Sequence, residues 1–332
     1  MSLSPKSSLG DSPQLSSVRA IADRLGACGR VLVVTHENPD GDGIGSMLAL
    51  RLALSRLGCE AVCVLPEGCP KRYQFLPTSE TIQTVLPSQA VDCAIALDCD
   101  GPGRLADLEQ AFFATPLTLN VDHHAAENEF AQVNWCDGSK AATGLLMLEL
   151  IRALGVELDA SMATCLYCAI AADTGVFRFQ NTSPETLRAA ADLVEAGANP
   201  AEIARRAADE MPFAKARLLG RALASARLEA GGVLVATLSL EDFQAADALP
   251  EHTDGIIDEI KRIAEARVTM LLREERPGFW RVSLRSQDAD VASVCRKFGG
   301  GGHRLAAGCE LESSAGEATA SILREILADL SP

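Results

Sequence analysis

Aromatic residues make up only 4% of this 332-residue chain, with two Trp and two Tyr. Proteins that hold long single strands of nucleic acid do so with rows of stacking rings, and the shortage of rings argues against that mode. Basic residues are also scarce: 30 Lys and Arg stand against 45 Asp and Glu, a net charge of −15 at pH 7. That excludes a protein-wide basic surface for long duplex DNA, while leaving room for a local basic patch. No uninterrupted apolar stretch approaches the ~18 residues that a membrane span needs. The Ser-rich start, MSLSPKSSLGDSPQLSS, lacks the apolar core of a secretory signal and is expected to be a flexible tail over 1–17. One CxxC is present, Cys165 to Cys168, and no second pair accompanies it, which speaks against a zinc site. Most of the eleven cysteines sit in apolar runs such as AVCVL and VDCAIAL. They are expected to be free, buried thiols in a reducing cytoplasm.

Apolar material is plentiful at 48% of residues, enough for two packed domains. From Arg30 to Asp122, apolar strands alternate with helical segments. VLVVTH (31–36), AVCVLP (61–66), VDCAIALD (91–98) and LTLNVD (117–122) read as strands. GIGSMLALRLALSRLG (43–58), 139–155 and 161–175 read as helices. Continuous apolar strands separated by helices indicate an α/β domain with a parallel sheet covered on both faces. It is expected to span 18–195. The Ala-, Arg- and Leu-rich stretch from Pro184 to Glu229 reads as helical with breaks near Gly197 and at Pro212, and 196–229 is expected to act as a linker. A smaller α+β domain, 230–332, follows. Its expected elements are a strand at 231–240, a helix at 254–265, and a hairpin of 266–275 with 279–286 around Arg276-Pro277-Gly278. A helix running into a glycine loop (289–308) and a closing helix (313–330) complete it.

Three of the apolar strands end in side chains that can bind metal: His36, Asp98 and Asp122, the last followed by His123 and His124. In open α/β sheets, ligands bind beyond the carboxyl ends of the strands. Residues far apart in sequence are therefore expected to converge on one rim, joined by Asp173 at a helix end. Asp40 and Asp42 lie in THENPDGDGIG, which taken alone reads equally well as a turn or as a metal site. Asp98 alone reads as a helix cap, and a His-His pair alone as surface. Jointly they point to two-metal hydrolysis, in which a pair of divalent ions activates water and clamps the reacting oxygens. Four of the chain's five histidines fall in these stretches or in GGGGH. Mixed imidazole and carboxylate donors suit Mn²⁺ better than Mg²⁺.

These segments resemble the motifs of the DHH phosphoesterase family. THENPDGDGIGS is similar to its first motif, LDCD to its second, VDHH to its third and AADTGVFRF to its fourth, and FGGGGHRLAAG resembles the signature of the DHHA1 domain that often follows. The five stand in family order over residues 35–308. The resemblance implies a manganese pair, with Mg²⁺ or Co²⁺ as alternatives. His36, Asp40 and Asp98 would hold one ion, and Asp42, Asp98, His123 and Asp173 the other, with Asp98 bridging. His124 would face the substrate phosphate, and Asp122 would orient its neighbours. The compact two-domain form is most similar to the bifunctional oligoribonucleases that also dephosphorylate 3′-phosphoadenosine 5′-phosphate. The resemblance thus implies short RNA or DNA oligonucleotides, dinucleotides or that bisphosphate as substrates, and a homodimer.

Between Lys261 and Arg304 there are ten Lys or Arg and five Asp or Glu, a local excess of +5. Arg262, Arg267 and Arg276 are expected on solvated faces. The strand end Arg285-Ser286 and the loop Gly300, Gly301, Gly302, His303 and Arg304 are expected to bind phosphate, since glycine lets backbone N–H groups approach an anion. Three rival readings are a cyclic-dinucleotide phosphodiesterase, an inorganic pyrophosphatase and a non-catalytic nucleotide sensor. The GGGGH loop weighs against the second, and the full set of metal-binding types against the third.

Overall fold

The computed structural model describes residues 18–124 and 129–330; the tail expected over 1–17 lies outside them. Two compact units divide the chain, Met1–Glu210 and Met211–Pro332.

The first unit opens with α1 (Val18–Gly26), β1 (Arg30–Thr35), α2 (Gly41–Arg56) and β2 (Glu60–Cys63). It continues through β3 (Cys93–Leu97), the short α3 (Glu109–Phe113), β4 (Thr118–Asp122) and β5 (Val133–Cys136). Four helices complete it: α4 (Thr143–Ala153), α5 (Ala160–Asp173), α6 (Pro184–Glu195) and α7 (Pro200–Ala204). Its five strands are all parallel, in the order β2-β1-β3-β4-β5. The unbroken apolar runs follow from burial on both faces. Val31 and Val33 point into a core with α2, α4 and α5, while Leu32 and Val34 point into a second core with Leu105, Leu108 and Phe112. Strand β5 carries a polar residue, Asn134, and a Trp, too short and mixed a run to stand out in the sequence.

α2 and α5 approach unusually closely. A Cβ on Gly45 would lie 2.4 Å from the Cys165 carbonyl oxygen, and one on Gly41 would lie 2.7 Å from the Ala172 Cβ. The first-motif glycines thus serve helix packing, not only the turn. All eleven cysteines are free thiols. Burial pushes the thiols of Cys63 and Cys168 up to about 12, as expected of small core hydrophobes.

The second unit begins with α8 (Phe213–Ser225), β6 (Arg227–Glu229), β7 (Val233–Leu238), α9 (Leu240–Ala246) and α10 (Ile256–Ile260). The hairpin β8 (Val268–Arg276) and β9 (Phe279–Ser286) comes next. It is followed by α11 (Val291–Arg296), β10 (Gly301–His303), β11 (Ala306–Glu312) and α12 (Ala315–Leu330). Its mixed sheet runs β10-β11-β9-β8-β7-β6. The α/β class, a parallel first sheet and an α+β second domain, is as the sequence indicates. Local details differ. The helical reading to Glu229 fails at its end, because Arg227–Glu229 pairs antiparallel with β7. The helix expected over 254–265 stops at Ile260, after which Ile263 and Ala266 close turns. Within the stretch expected to link the domains, Ile203 belongs to the first unit's core, and Leu218 and Ala222 to a core of the second. Among the described residues, no helix is long and apolar enough to cross a membrane.

Candidate metal centre

Register sets the rim. Thr35 of β1 lies beside Leu97 of β3, and Leu97 beside Val121 of β4. His36, Asp98 and Asp122 are each the next residue along, so three neighbouring strands present them at one level. Asp98 turns sharply there, with φ +58°, a left-handed conformation that Asp tolerates better than most residues. Asp40 caps α2, its Oδ1 accepting from the N–H of Asp42 (2.8 Å) and Gly43 (3.3 Å). Turn-forming and site-forming roles are therefore combined in one carboxylate. The close packing of α2 on α5 brings Asp173, the last residue of α5, to the same place.

Three sets of side chains each offer one ligand atom within 4.8 Å of the others: His36, Asp40 and Asp98; Asp42, His123 and Asp173; and Asp98, His123 and His124. Nε2 of His36 is 3.6 Å from Oδ2 of Asp98. Nε2 of His123 is 3.0 Å from Oδ2 of Asp173, 3.5 Å from Oδ1 of Asp98 and 3.9 Å from Oδ2 of Asp42. Asp42 is fully buried, accepting from the N–H of Thr143 (2.6 Å) and Gly144 (2.8 Å) at the start of α4. Burial, reinforced by the charges of Asp98, Asp173 and Asp40, pushes its carboxyl well above the usual range. Asp98 is also buried, yet the hydrogen bond with His36 and the charges of His123 and His36 outweigh burial and hold its carboxyl low.

A divalent cation fits this donor set. The His123 Nε2 is buried among three carboxylates, 3.0 Å from Asp173 and within 3.9 Å of Asp98 and Asp42, the surroundings of a metal-binding imidazole. Nδ1 of His36 contacts the Glu37 carbonyl at 2.8 Å. With Nδ1 on that side, Nε2 is the ring nitrogen that faces Asp98. Such outer hydrogen bonds fix the ring and tautomer of a metal-binding histidine. Without a cation, so many buried carboxylates are mutually destabilising.

His124 is half exposed, and its Nδ1 lies 2.7 Å from Oδ1 of Asp122, which also accepts from the His124 backbone N–H at 3.2 Å. That hydrogen bond pushes the imidazole up to about 9 against the opposing effect of burial. Several neighbours gave no sequence signal. The Thr143 hydroxyl donates to Asp98 at 3.0 Å, the Lys140 carbonyl lies 3.4 Å from Nδ1 of His123, and an Arg104 guanidinium nitrogen lies 3.0 Å from Nδ1 of His36. These contacts follow from how α4 and the turn after β3 pack.

In the second unit, Arg285 pairs with Asp258 at 3.2 Å and donates to its neighbouring carbonyl, Leu284. The Ser286 hydroxyl accepts from the N–H groups of Asp288 and Ala289 and so shapes a turn. Arg304 donates to the Asp288 carbonyl, and His303 is exposed. The glycines have a packing reason. A Cβ on Gly300 would lie 2.1 Å from the Gly308 carbonyl oxygen, and one on Gly302, at φ +135°, 2.6 Å from that of Ala306. Gly301–His303 is thus an edge strand on β11. Arg262 and Arg267 pair with Glu259 and Asp288, and Arg276 stacks on Phe279 with 4.1 Å to the ring centroid, so these three have local surface roles.

The model of the DHH family N-terminal domain matches residues 30–170, and that of the DHHA1 domain matches 230–330. A protein of Thermus thermophilus named bifunctional oligoribonuclease and PAP phosphatase NrnA is 36% identical over 301 residues, covering 89% of this chain and 88% of its own. The chain belongs to the DHH family, carrying a DHHA1 domain after the DHH domain. The Bacillus subtilis protein of the same name is 23% identical, covering 85% of this chain and 90% of its own. A solved structure of an exopolyphosphatase-related protein from Bacteroides fragilis superposes with a TM-score of 0.85 at 22% identity, covering 94% of this chain and 96% of that one, and supports the fold.

Proposed function

We propose that this protein is a metal-dependent phosphoesterase that hydrolyses short oligonucleotides to mononucleotides and 3′-phosphoadenosine 5′-phosphate to AMP. The observation that carries the reading is the convergence of His36, Asp40, Asp42, Asp98, His123 and Asp173, in sets whose ligand atoms lie within 4.8 Å of one another, with Asp42 and Asp98 buried. The Thermus relative, similar over nearly the whole chain, supports the substrate class.

His36, Asp40 and Asp98 would hold one ion, and Asp42, Asp98, His123 and Asp173 a second, with Asp98 common to both. The mixed donors favour Mn²⁺, with Co²⁺ or Mg²⁺ as alternatives. Such ions, when bound, lower the pKa of a water and offset charge on the phosphate. The chain's own groups do the rest. Thr143 and the N-terminus of α4 fix Asp98 and Asp42. Asp122 orients His124 so that the ring faces the phosphate and stabilises charge gathering on it. Arg285, Ser286, Gly300, Gly301, Gly302, His303 and Arg304 would hold a phosphate or nucleotide. Arg285 can exchange its partly exposed pairing with Asp258, because such pairs contribute only about 0–1 kcal/mol. The shortage of rings fits a short substrate held through phosphates. The free thiols suit a reducing cytoplasm, and a homodimer is part of this reading.

The test is product analysis by chromatography. Protein with Mn²⁺ receives a 5′-phosphorylated dinucleotide, a long RNA, 3′-phosphoadenosine 5′-phosphate, pyrophosphate and cyclic di-AMP side by side. Conversion of the dinucleotide and the bisphosphate with pyrophosphate untouched is expected. Cleavage of pyrophosphate alone, of cyclic di-AMP alone, or of nothing would overturn the reading.

A further inference from the structure

A cavity of about 250 Å³ lies within the first unit beside Asp40. Its wall includes Tyr73, Ala172, Gly175 and Ile203, and two arginines, Arg72 and Arg178, also line it. Asp40 belongs to one of the three candidate ligand sets, so the cavity adjoins the metal centre. Both arginines are exposed, and neither forms an ion pair among the described residues. Six other arginines of this unit do, among them Arg30 with Glu60, Arg56 with Asp159, Arg104 with Asp100, and Arg152 with Asp192; Arg19, Arg24, Arg51 and Arg188 do not, but none of these four lines the cavity. Arg72 lies over the Tyr73 ring, 4.8 Å from its centroid. Nε of Arg178 donates to the Gly175 carbonyl at 2.7 Å, which anchors that edge of the guanidinium and leaves its terminal nitrogens for a ligand. In a chain of net charge −15, two unpaired guanidiniums at one cavity call for an anion.

The segment that carries Arg178 is held in an uncommon shape. Gly175, Val176 and Phe177 follow one another at φ +55°, +56° and +60°. Left-handed values are costly for Val and Phe, and such strain persists where the surroundings enforce it. Here the Thr174 hydroxyl accepts from the Phe177 N–H at 3.1 Å, and the Thr174 carbonyl accepts from the N–H groups of Arg178 and Phe179. The turn directly follows Asp173, so Arg178 is fixed relative to a candidate metal ligand.

We propose that Arg72 and Arg178 form a subsite for a terminal phosphate of a short nucleotide, next to the phosphate that is cleaved. This rests on the phosphoesterase reading and names the part of the substrate that the DHH domain itself would select. The volume admits a phosphate with part of a sugar and is small for a whole nucleotide. Ala171, Ala172, Val176, Ile203 and Ala207 supply only apolar side chains to the wall, so the subsite would read charge and not base identity.

The experiment compares kcat/KM for one dinucleotide in 5′-phosphorylated, 3′-phosphorylated and unphosphorylated forms. The wild type should prefer one phosphorylated form. Arg72→Ala and Arg178→Ala should each reduce that preference about tenfold, mainly through KM, since a charge-assisted hydrogen bond to phosphate is worth roughly that much or more. Arg178→Lys should restore part of it by returning the charge, which it would not do if only the Gly175 bond mattered. No preference in the wild type, or an unchanged preference in both alanine variants, would overturn the subsite. Should the wild type cleave none of the three, the phosphoesterase reading falls instead. Calorimetry of the same dinucleotides with chelator-treated protein then decides the subsite. Tighter binding of a phosphorylated form, lost in Arg72→Ala, supports it; equal binding or no binding ends it.

Discussion

Gly45 of α2 faces the carbonyl oxygen of Cys165 on α5 so closely that a Cβ would lie 2.4 Å away. This contact lets the two helices touch along their backbones, and through it Asp173 reaches the rim where β1, β3 and β4 end. Gly45→Ala should force the helices apart. A destabilisation of about 1–3 kcal/mol is expected from overpacking, with weaker metal binding because Asp173 moves with its helix. Urea denaturation and metal titration of the variant check both. Unchanged stability with full metal affinity would show that the helices yield without cost.

Asp98 stands between His36 and His123, within 3.6 Å of a ring nitrogen of each. Asp98→Ala should reduce hydrolysis on the order of 10³-fold or more, since the metal centre supplies several kcal/mol of charge stabilisation. Nucleotide binding by the second unit should partly remain. Clean variant protein that still turns over substrate would refute the bridging assignment.

In the proposed mechanism Asp122 acts through His124, which it contacts at 2.7 Å. Asp122→Asn should lower kcat about ten- to hundredfold, the usual effect of removing such an outer partner, while leaving KM closer to wild type. Steady-state kinetics separate the two constants. A loss confined to KM would instead place His124 in ground-state binding.

Arg285→Ala and His303→Ala should raise KM about tenfold and alter kcat less, if these groups bind ground and transition states alike. Their circular dichroism should match the wild type, because Arg285 makes one partly exposed ion pair and His303 is exposed. A kcat loss with unchanged KM would count against a holding role.

Asp159 caps α5, the helix that ends in Asp173, accepting from the N–H groups of Ser161 and Met162 and pairing with Arg56 at 2.6 Å. Burial raises its carboxyl, but the Met162 N–H, Arg56 and the Ser161 N–H outweigh it and the net shift is downward. A depressed folded-state value means a contribution that is complete above the unfolded value, about 3.9, and that fades as pH falls through the folded one. Asp159→Ala should therefore cost about 1 kcal/mol near neutral pH, and the difference from wild type should shrink below about pH 4. Urea melts at both pH values measure it. A constant difference would mean that the ionised carboxylate is not what stabilises the helix.

The sequence by itself determined the parallel sheet and which residues stand at its rim. Short apolar runs alternating with helical segments indicate strands buried on both faces, and a parallel sheet sends all their carboxyl ends to one side, so His36, Asp98 and Asp122 were legible as neighbours. The glycine motifs were visible too, but not their work. Gly41, Gly45, Gly300 and Gly302 are defined by what lies opposite them, on α5 or on β11, and that is a property of packing. Strands β5, β6, β10 and β11 were hidden because each is short or polar on one face and takes its stability from a partner strand. The surroundings of Thr143, Arg104 and Arg72, and of Arg178 within the fourth motif, were hidden for a related reason. A hydroxyl or guanidinium carries no pattern in sequence, and only the tertiary structure decided which of them meet carboxylates, which meet a ring nitrogen, and which are left to meet an anion.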